Sequence, residues 1–199
     1  MFKSVKPLAG LSLALAAGFA QASASPTVID FNSLKGGLLG KGIGSTYGED
    51  GYTLTSTVKN DLFATSSIVD ADKKGETLTS SSFSFQAASG AAFDLESLDL
   101  GNALNSGAGG PVLLSYTTMG SGKAVTEVLT LDHKSGLQTF TLDLDNLKSF
   151  SVTNLAFQVD NINVTPYVAP TPAVPEPGSV ALMLAGLGLV GTVARRRKM

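Results

Sequence analysis

Between residue 25 and about residue 164, apolar side chains fall at every second position with Thr, Ser or Asp between them. The alternation shows in Tyr52-Thr53-Leu54-Thr55, Thr77-Leu78-Thr79, Ser82-Phe83-Ser84-Phe85 and Phe93-Asp94-Leu95. It returns in Val112 to Thr118, Val125 to Leu131, Phe140-Thr141-Leu142-Asp143-Leu144 and Ala156 to Val164. A period of two describes strands with one buried and one wet face. Turn residues punctuate them at Gly36-Gly37, Gly48-Glu49-Asp50-Gly51, Lys73-Lys74-Gly75, Gly107 to Pro111, Gly120-Ser121-Gly122 and Ser135-Gly136. Strands at this spacing predict an all-β chain, an antiparallel β sandwich. The predicted core is Ile29, Phe31, Leu54, Phe83, Phe85, Phe93, Leu95, Leu98, Leu100, Leu113, Leu129, Phe140, Leu142, Phe157, Val159 and Ile162. Leu34 to Gly44 is apolar but glycine-dense and reads as a loop. No repeat of 20–50 residues is evident, which argues against a propeller or solenoid.

The two ends break this pattern. Residues 1–24 read as a secretory signal peptide: Lys3 and Lys6, an apolar run from Leu8 to Ala20, then Ala22-Ser23-Ala24, with cleavage between Ala24 and Ser25. Ala20-Gln21-Ala22 offers a second cleavage point, and a buried N-terminal helix is the plainer alternative. The β domain then occupies residues 25–165, and a Pro-rich linker residues 166–177. Residues 178–199 hold an uncharged run from Gly178 to Ala194, followed by Arg195-Arg196-Arg197-Lys198. As a helix that run is roughly 25 Å long, at the low end for crossing a bilayer, and it reads as a transmembrane helix with its basic end on the cytoplasmic side.

The sequence VPEPGSVALMLAGLGLVGTVARRRKM resembles the PEP-CTERM sorting signal in all three of its parts. These are the motif Pro175-Glu176-Pro177, the short apolar helix, and the cluster Arg195, Arg196 and Arg197. The resemblance implies processing by exosortase, a membrane protease, after transient anchoring in the inner membrane of a Gram-negative bacterium. It also implies a secreted or cell-surface destination in a matrix rich in exopolysaccharide, as in biofilms. The stretches Val28-Ile29-Asp30-Phe31, Phe93 to Leu100 and Phe157-Gln158-Val159-Asp160-Asn161-Ile162 resemble jelly-roll domains common among such proteins. Jelly-roll modules of that shape often carry a structural calcium where the first and last strands meet. The resemblance therefore implies Asp30 and Asp160 as ligands, with Glu49 and Asp50 as additions. The plainer reading makes all four solvated acids.

Composition narrows the chemistry. The 199 residues include no cysteine, no tryptophan and one histidine, which excludes disulfides, thiolate metal sites and cysteine nucleophiles. Six of the 14 basic residues sit in the two ends, so residues 25–177 keep eight against all 16 acidic residues, a formal charge of −8. Such a domain repels phosphates, and nucleic acid is excluded as a partner. His133 has no Gly-x-Ser-x-Gly companion. Asp143 and Asp145 share one strand face and point to solvent, and Asn163-Val164-Thr165 is a chance sequon. The aromatic platforms on which sugars stack are limited to Tyr47, Tyr52, Tyr116 and Phe63, with Tyr52 reading as core or rim. Three functions stay open: a non-enzymatic matrix protein, a carbohydrate-binding module, and a secreted hydrolase.

Overall fold

Left-handed turn residues set the strand pairing. The computed structural model describes residues 24–36, 40–65, 76–170 and 177–196. In it, β3 (Thr46–Glu49) and β4 (Tyr52–Ser56) are joined by Asp50 and Gly51 alone. Both have positive φ, 46° and 82°, as a type I′ hairpin requires, and Asp-Gly is among the pairs that adopt it at least cost. The other strands are β1 (Thr27–Ile29), β2 (Lys41–Gly44), β5 (Leu62–Thr65), β6 (Thr77–Ala87), β7 (Phe93–Asn102), β8 (Gly110–Thr118), β9 (Val125–Leu131) and β10 (Gln138–Pro166). The spine of the sheet runs β2-β5-β6-β10-β8-β9. The β3–β4 hairpin joins β6 through β4, and β1 and β7 join β10.

The 29-residue β10 organises this domain. It bends at Asp143, Asn146 and Asn161, all with positive φ, beside shifts in its register with β7. The first stretch, from Gln138, pairs with one edge of β7, and the last stretch, from Phe157, pairs with the other edge. Between them Phe150 to Thr153 lie between β6 and β8. β7 and β8 therefore diverge from β10, and the antiparallel sheet closes as a sandwich. β1 meets the end of β10 through Ile29↔Ile162, so the first and last strands do adjoin.

The enclosed core is aromatic. Phe85 stacks on Phe150 at 4.9 Å and on Tyr52 at 5.2 Å, with Phe93 edge-on at 5.6 Å. Thirteen of the sixteen predicted core residues are buried; the exceptions are Leu113, Phe140 and Leu142. Phe140 and Leu142 are partly buried and pack against the core. Leu113 is a correction: it is 43% exposed, while Val112 and Leu114 on either side are fully buried. In a run apolar at three consecutive positions the alternation leaves two choices of face, and pairing with β9 selects the other one. A second correction is β2, which lies in the stretch read as a loop. Among the described residues it is an edge strand paired with β5 alone, where Gly44 at positive φ is tolerated. The two late alternating segments, Phe140 to Leu144 and Ala156 to Val164, belong to one bent strand.

The chain divides into two compact units, Met1–Tyr167 and Val168–Met199. In the second, α1 (Pro177–Arg196) begins at a proline and ends on Arg195 and Arg196, which suit the two helix termini. Its large apolar residues Leu182, Met183, Leu184, Leu187, Leu189 and Val190 are 60–75% exposed. No helix of the described residues is long and apolar enough to cross a membrane. The segment expected to cross the membrane is helical, as α1.

Candidate functional site

Residues 1–23 of the signal peptide, Pro175, Glu176 and Arg197 lie outside the described residues. Ala24 and Ser25 precede β1, with Ser25 exposed, and Arg195 and Arg196 are exposed in the last turn of α1.

In the β domain, three of the four predicted metal ligands share one neighbourhood. The carboxylate of Glu49, on β3, accepts the Phe31 backbone N–H at 3.2 Å. Burial raises the Glu49 carboxyl above its ordinary range. Tyr47 and the Phe31 N–H oppose that rise, and the nearby charges of Asp30 and Asp50 add to it. Burial also pushes the Tyr47 hydroxyl, 2.8 Å from Ser33 Oγ, up to about 12. Phe31 itself is fully buried with φ 53°. That is strained geometry for a bulky residue, and the Glu49 bond and the packing on Tyr47 at 5.5 Å hold it there. Asp30 Oδ1 accepts the Asn32 N–H at 3.1 Å, closing a local turn.

Asp160, two residues before the Ile162 that pairs with Ile29, engages different partners. It lies buried in β10 opposite Asp99 of β7 and accepts the Asn161 N–H at 2.8 Å, while Asn161 Nδ2 donates to Asp99 at 2.9 Å. Among the described residues no group of three or more His, Asp or Glu converges to hold a metal ion. Glu49 is engaged in fixing Phe31, Asp30 in a local turn, and Asp160 at the β10 bulge.

The candidate catalytic groups are likewise spread. Asp143 and Asp145 are exposed. His133 Nδ1 accepts the Gly109 N–H at 3.3 Å, across a contact so close that a Cβ on Gly109 would stand 2.6 Å from Leu131 O. The sequon residue Asn163 keeps its Oδ1 buried with no partner among the described residues.

Register decides where the aromatic candidates point. Tyr47 pairs with Leu54, Leu54 with Phe85, Phe85 with Phe150, and Phe150 with Tyr116. Directly paired residues of an antiparallel sheet share a face, so Tyr47 and Tyr116 extend the core row. Tyr52, paired with core-facing Ala87, is buried. The three tyrosines proposed as sugar platforms thus belong to the inner face, and Phe63, at the β2–β5 edge, is 37% exposed.

One residue along, the outer face carries a feature that single-strand periodicity does not show. Thr46 pairs with Thr55, Thr55 with Ser84, Ser84 with Ser151, Ser151 with Ser115, and Ser115 with Thr126. Six hydroxyl side chains cross β3, β4, β6, β10, β8 and β9 in one row, about 24 Å long at the usual strand spacing. Thr46, Thr55 and Thr126 are exposed, and the three serines are half-buried. Ser115 Oγ and Thr126 Oγ1 are 2.8 Å apart, and Ser151 Oγ donates to Ser115 O at 3.3 Å. The parallel row Ser82, Thr153, Leu113 and Val128 is also uncharged. Each hydroxyl is legible as the polar partner in an alternating strand; their alignment depends on register between strands distant in sequence.

Comparison with known proteins bears on the two units differently. No curated protein matches the chain. Among solved structures, the CBM22-1–GH10 modules of Clostridium thermocellum endo-1,4-β-D-xylanase 10B, complexed with xylohexaose, align at 14% identity and a TM-score of 0.35. That alignment covers 69% of this chain and 30% of that one. Such a distant likeness transfers neither substrate nor activity, and this chain spans less than a third of the other. Residues 173–198 match the PEP-CTERM protein-sorting motif, over the stretch that contains α1 and its terminal arginines; the chain carries a PEP-CTERM sorting motif.

Proposed function

We propose that this is a secreted protein of a Gram-negative cell surface, delivered through exosortase and acting there as a non-enzymatic component of an exopolysaccharide matrix or biofilm. The sorting motif at 173–198 carries the reading. In this account the signal peptide is removed at Ala24–Ser25. The helix with its arginines on the cytoplasmic side then docks transiently in the inner membrane, and exosortase cuts near Pro175-Glu176-Pro177. The exposed apolar side chains of α1 support lipid or protease contact. The non-catalytic reading of the β domain draws on three polar groups that serve the fold. Glu49 holds Phe31, Asp160 caps a bulge, and His133 accepts from Gly109.

Intact-mass analysis of the protein from a host that produces exosortase tests this. The released form is expected to lack residues 1–24 and the segment after about Pro177, and Glu176→Ala is expected to stay cell-associated with its tail intact. Recovery of wild-type protein outside the cell with Arg195–Arg197 still attached would refute the sorting reading.

A further inference from the structure

We propose that the six-strand hydroxyl row on the outer face is a docking surface for a single chain of neutral polysaccharide. This deepens the matrix reading above and rests on it for the presence of such a partner. The first observation is charge. The domain segment 25–177 carries a formal −8, yet Thr46, Thr55, Ser84, Ser151, Ser115 and Thr126, and the neighbouring Ser82, Thr153, Leu113 and Val128, are all uncharged. An uncharged strip on an acidic domain offers no counter-charge to an anionic ligand and no repulsion to a neutral one.

The second observation is hydrogen-bonding capacity. The hydroxyls of Thr46, Thr55 and Ser84 are bonded to no other described residue, and a hydroxyl both donates and accepts. A sugar hydroxyl does the same, so the two arrays pair without leaving a buried orphan. Leu113 and Val128, register partners at 43% and 61% exposure, place an apolar step beside the row against which the C–H face of a sugar ring can rest.

Shape selects among neutral polyhydroxyl partners. Adjacent strands rotate by about 20–25°, so five steps across six strands accumulate roughly 100–125°. A planar lattice, whether ice or a crystalline fibre face, cannot follow that twist over the row's length. A flexible single chain can.

Affinity electrophoresis tests the assignment. The purified full chain, kept soluble in a polyoxyethylene detergent that carries no sugar, is run through native gels containing hydroxyethylcellulose, dextran or the anionic glycan alginate. Retardation is expected in at least one neutral gel and not in alginate, and it should weaken when the probe is cut to fragments shorter than the row. The variant Thr55→Ala/Ser84→Ala/Ser115→Ala/Ser151→Ala should lose at least fivefold in affinity with an unchanged melting profile. Should that variant misfold, Ser151→Lys, a single bulky charge at the centre of the row, provides the same readout. Absence of retardation in both neutral gels, equal retardation in alginate, or full retention by either folded variant would overturn the proposal. Because the protein tested keeps its tail, none of these outcomes depends on exosortase processing.

Discussion

Asp61 holds the one point where β6 exchanges partners, and removing its carboxylate is expected to loosen the whole outer face. β6 pairs with β5 through Thr77 to Thr79 and with β4 through Phe83 to Ala87. Between them Ser80 to Ser82 face the β4–β5 connection, and opposite them β10 shifts register between Thr153 and Phe157. Asp61 Oδ2 fills this gap by accepting the Ser81 N–H and the Ser81 hydroxyl, both at 2.7 Å, and the Ser80 hydroxyl at 3.0 Å. Burial pushes its carboxyl up, but the bonds from Ser81 and Ser80 outweigh that and hold it below the ordinary range. A hydrogen bond to a charged acceptor contributes about 1.5–3 kcal/mol, and three bonds to one partly solvated carboxylate are far from additive. Asp61→Ala should therefore cost about 1–2 kcal/mol, a fall of roughly 3–6 °C in melting temperature. Since the folded pKa is depressed, this stabilisation is complete above the unfolded carboxylate range and is lost as pH falls through the folded value. Thermal melts of wild type and Asp61→Ala at neutral pH and at steps down to about pH 3 measure both parts. The difference between the proteins should shrink toward zero at the acid end. A neutral-pH difference below about 0.3 kcal/mol, or one that is constant with pH, would refute the clamp.

Three further outcomes follow from geometry. Gly109→Ala places a Cβ 2.6 Å from Leu131 O and 3.0 Å from Asp132 O; backbone must move, so a loss of about 1–3 kcal/mol is expected in a thermal melt. Gly122→Ala, where a Cβ meets nothing within 4 Å, should stay within about 0.5 kcal/mol of wild type. Because no group of three or more acids among the described residues is arranged to hold a metal ion, addition of EDTA should leave the melting temperature within about 1 °C of the untreated protein. A calcium-dependent rise of several degrees, abolished by Asp30→Asn, would instead place a cation at the Glu49 cluster.

The parts of this fold visible in the sequence are those that a single strand determines alone. Phe83 and Phe85, separated by one serine, can face only one way together, and both are fully buried as expected. Asp50-Gly51 encodes a two-residue hairpin whatever surrounds it. Leu113 was ambiguous because Val112, Leu113 and Leu114 are all apolar; the choice belongs to the partner strand, through Val112↔Leu129. Lys41 to Gly44 has no strand propensity to speak of and becomes a strand only because Leu62 to Ala64 presents a free edge. The same holds for the length of β10. Asn146 and Asn161 are residues that turn left-handed readily, but nothing local in residues 138–166 says that the chain passes through these bends and stays in one sheet.

Function divides along the same line. The sorting motif is a contiguous string read by an enzyme, so it is legible residue by residue. A surface assembled from six strands is not. Tyr47 and Tyr116 stand as candidate sugar platforms because, without tryptophan, tyrosines supply most of the amphipathic rings available. Register places them in line with Phe85 and Phe150, where Tyr47 packs on Phe31 and its hydroxyl meets Ser33. With the tyrosines turned inward, the outer face keeps the short hydroxyl side chains that separate the core residues along each strand. A sheet that spends its aromatic residues on its own core can present hydrogen bonds to a partner but few stacking planes. The proposed binding on that face is therefore expected to grow with the number of strands a ligand crosses, so that a long chain gains where a short oligomer does not.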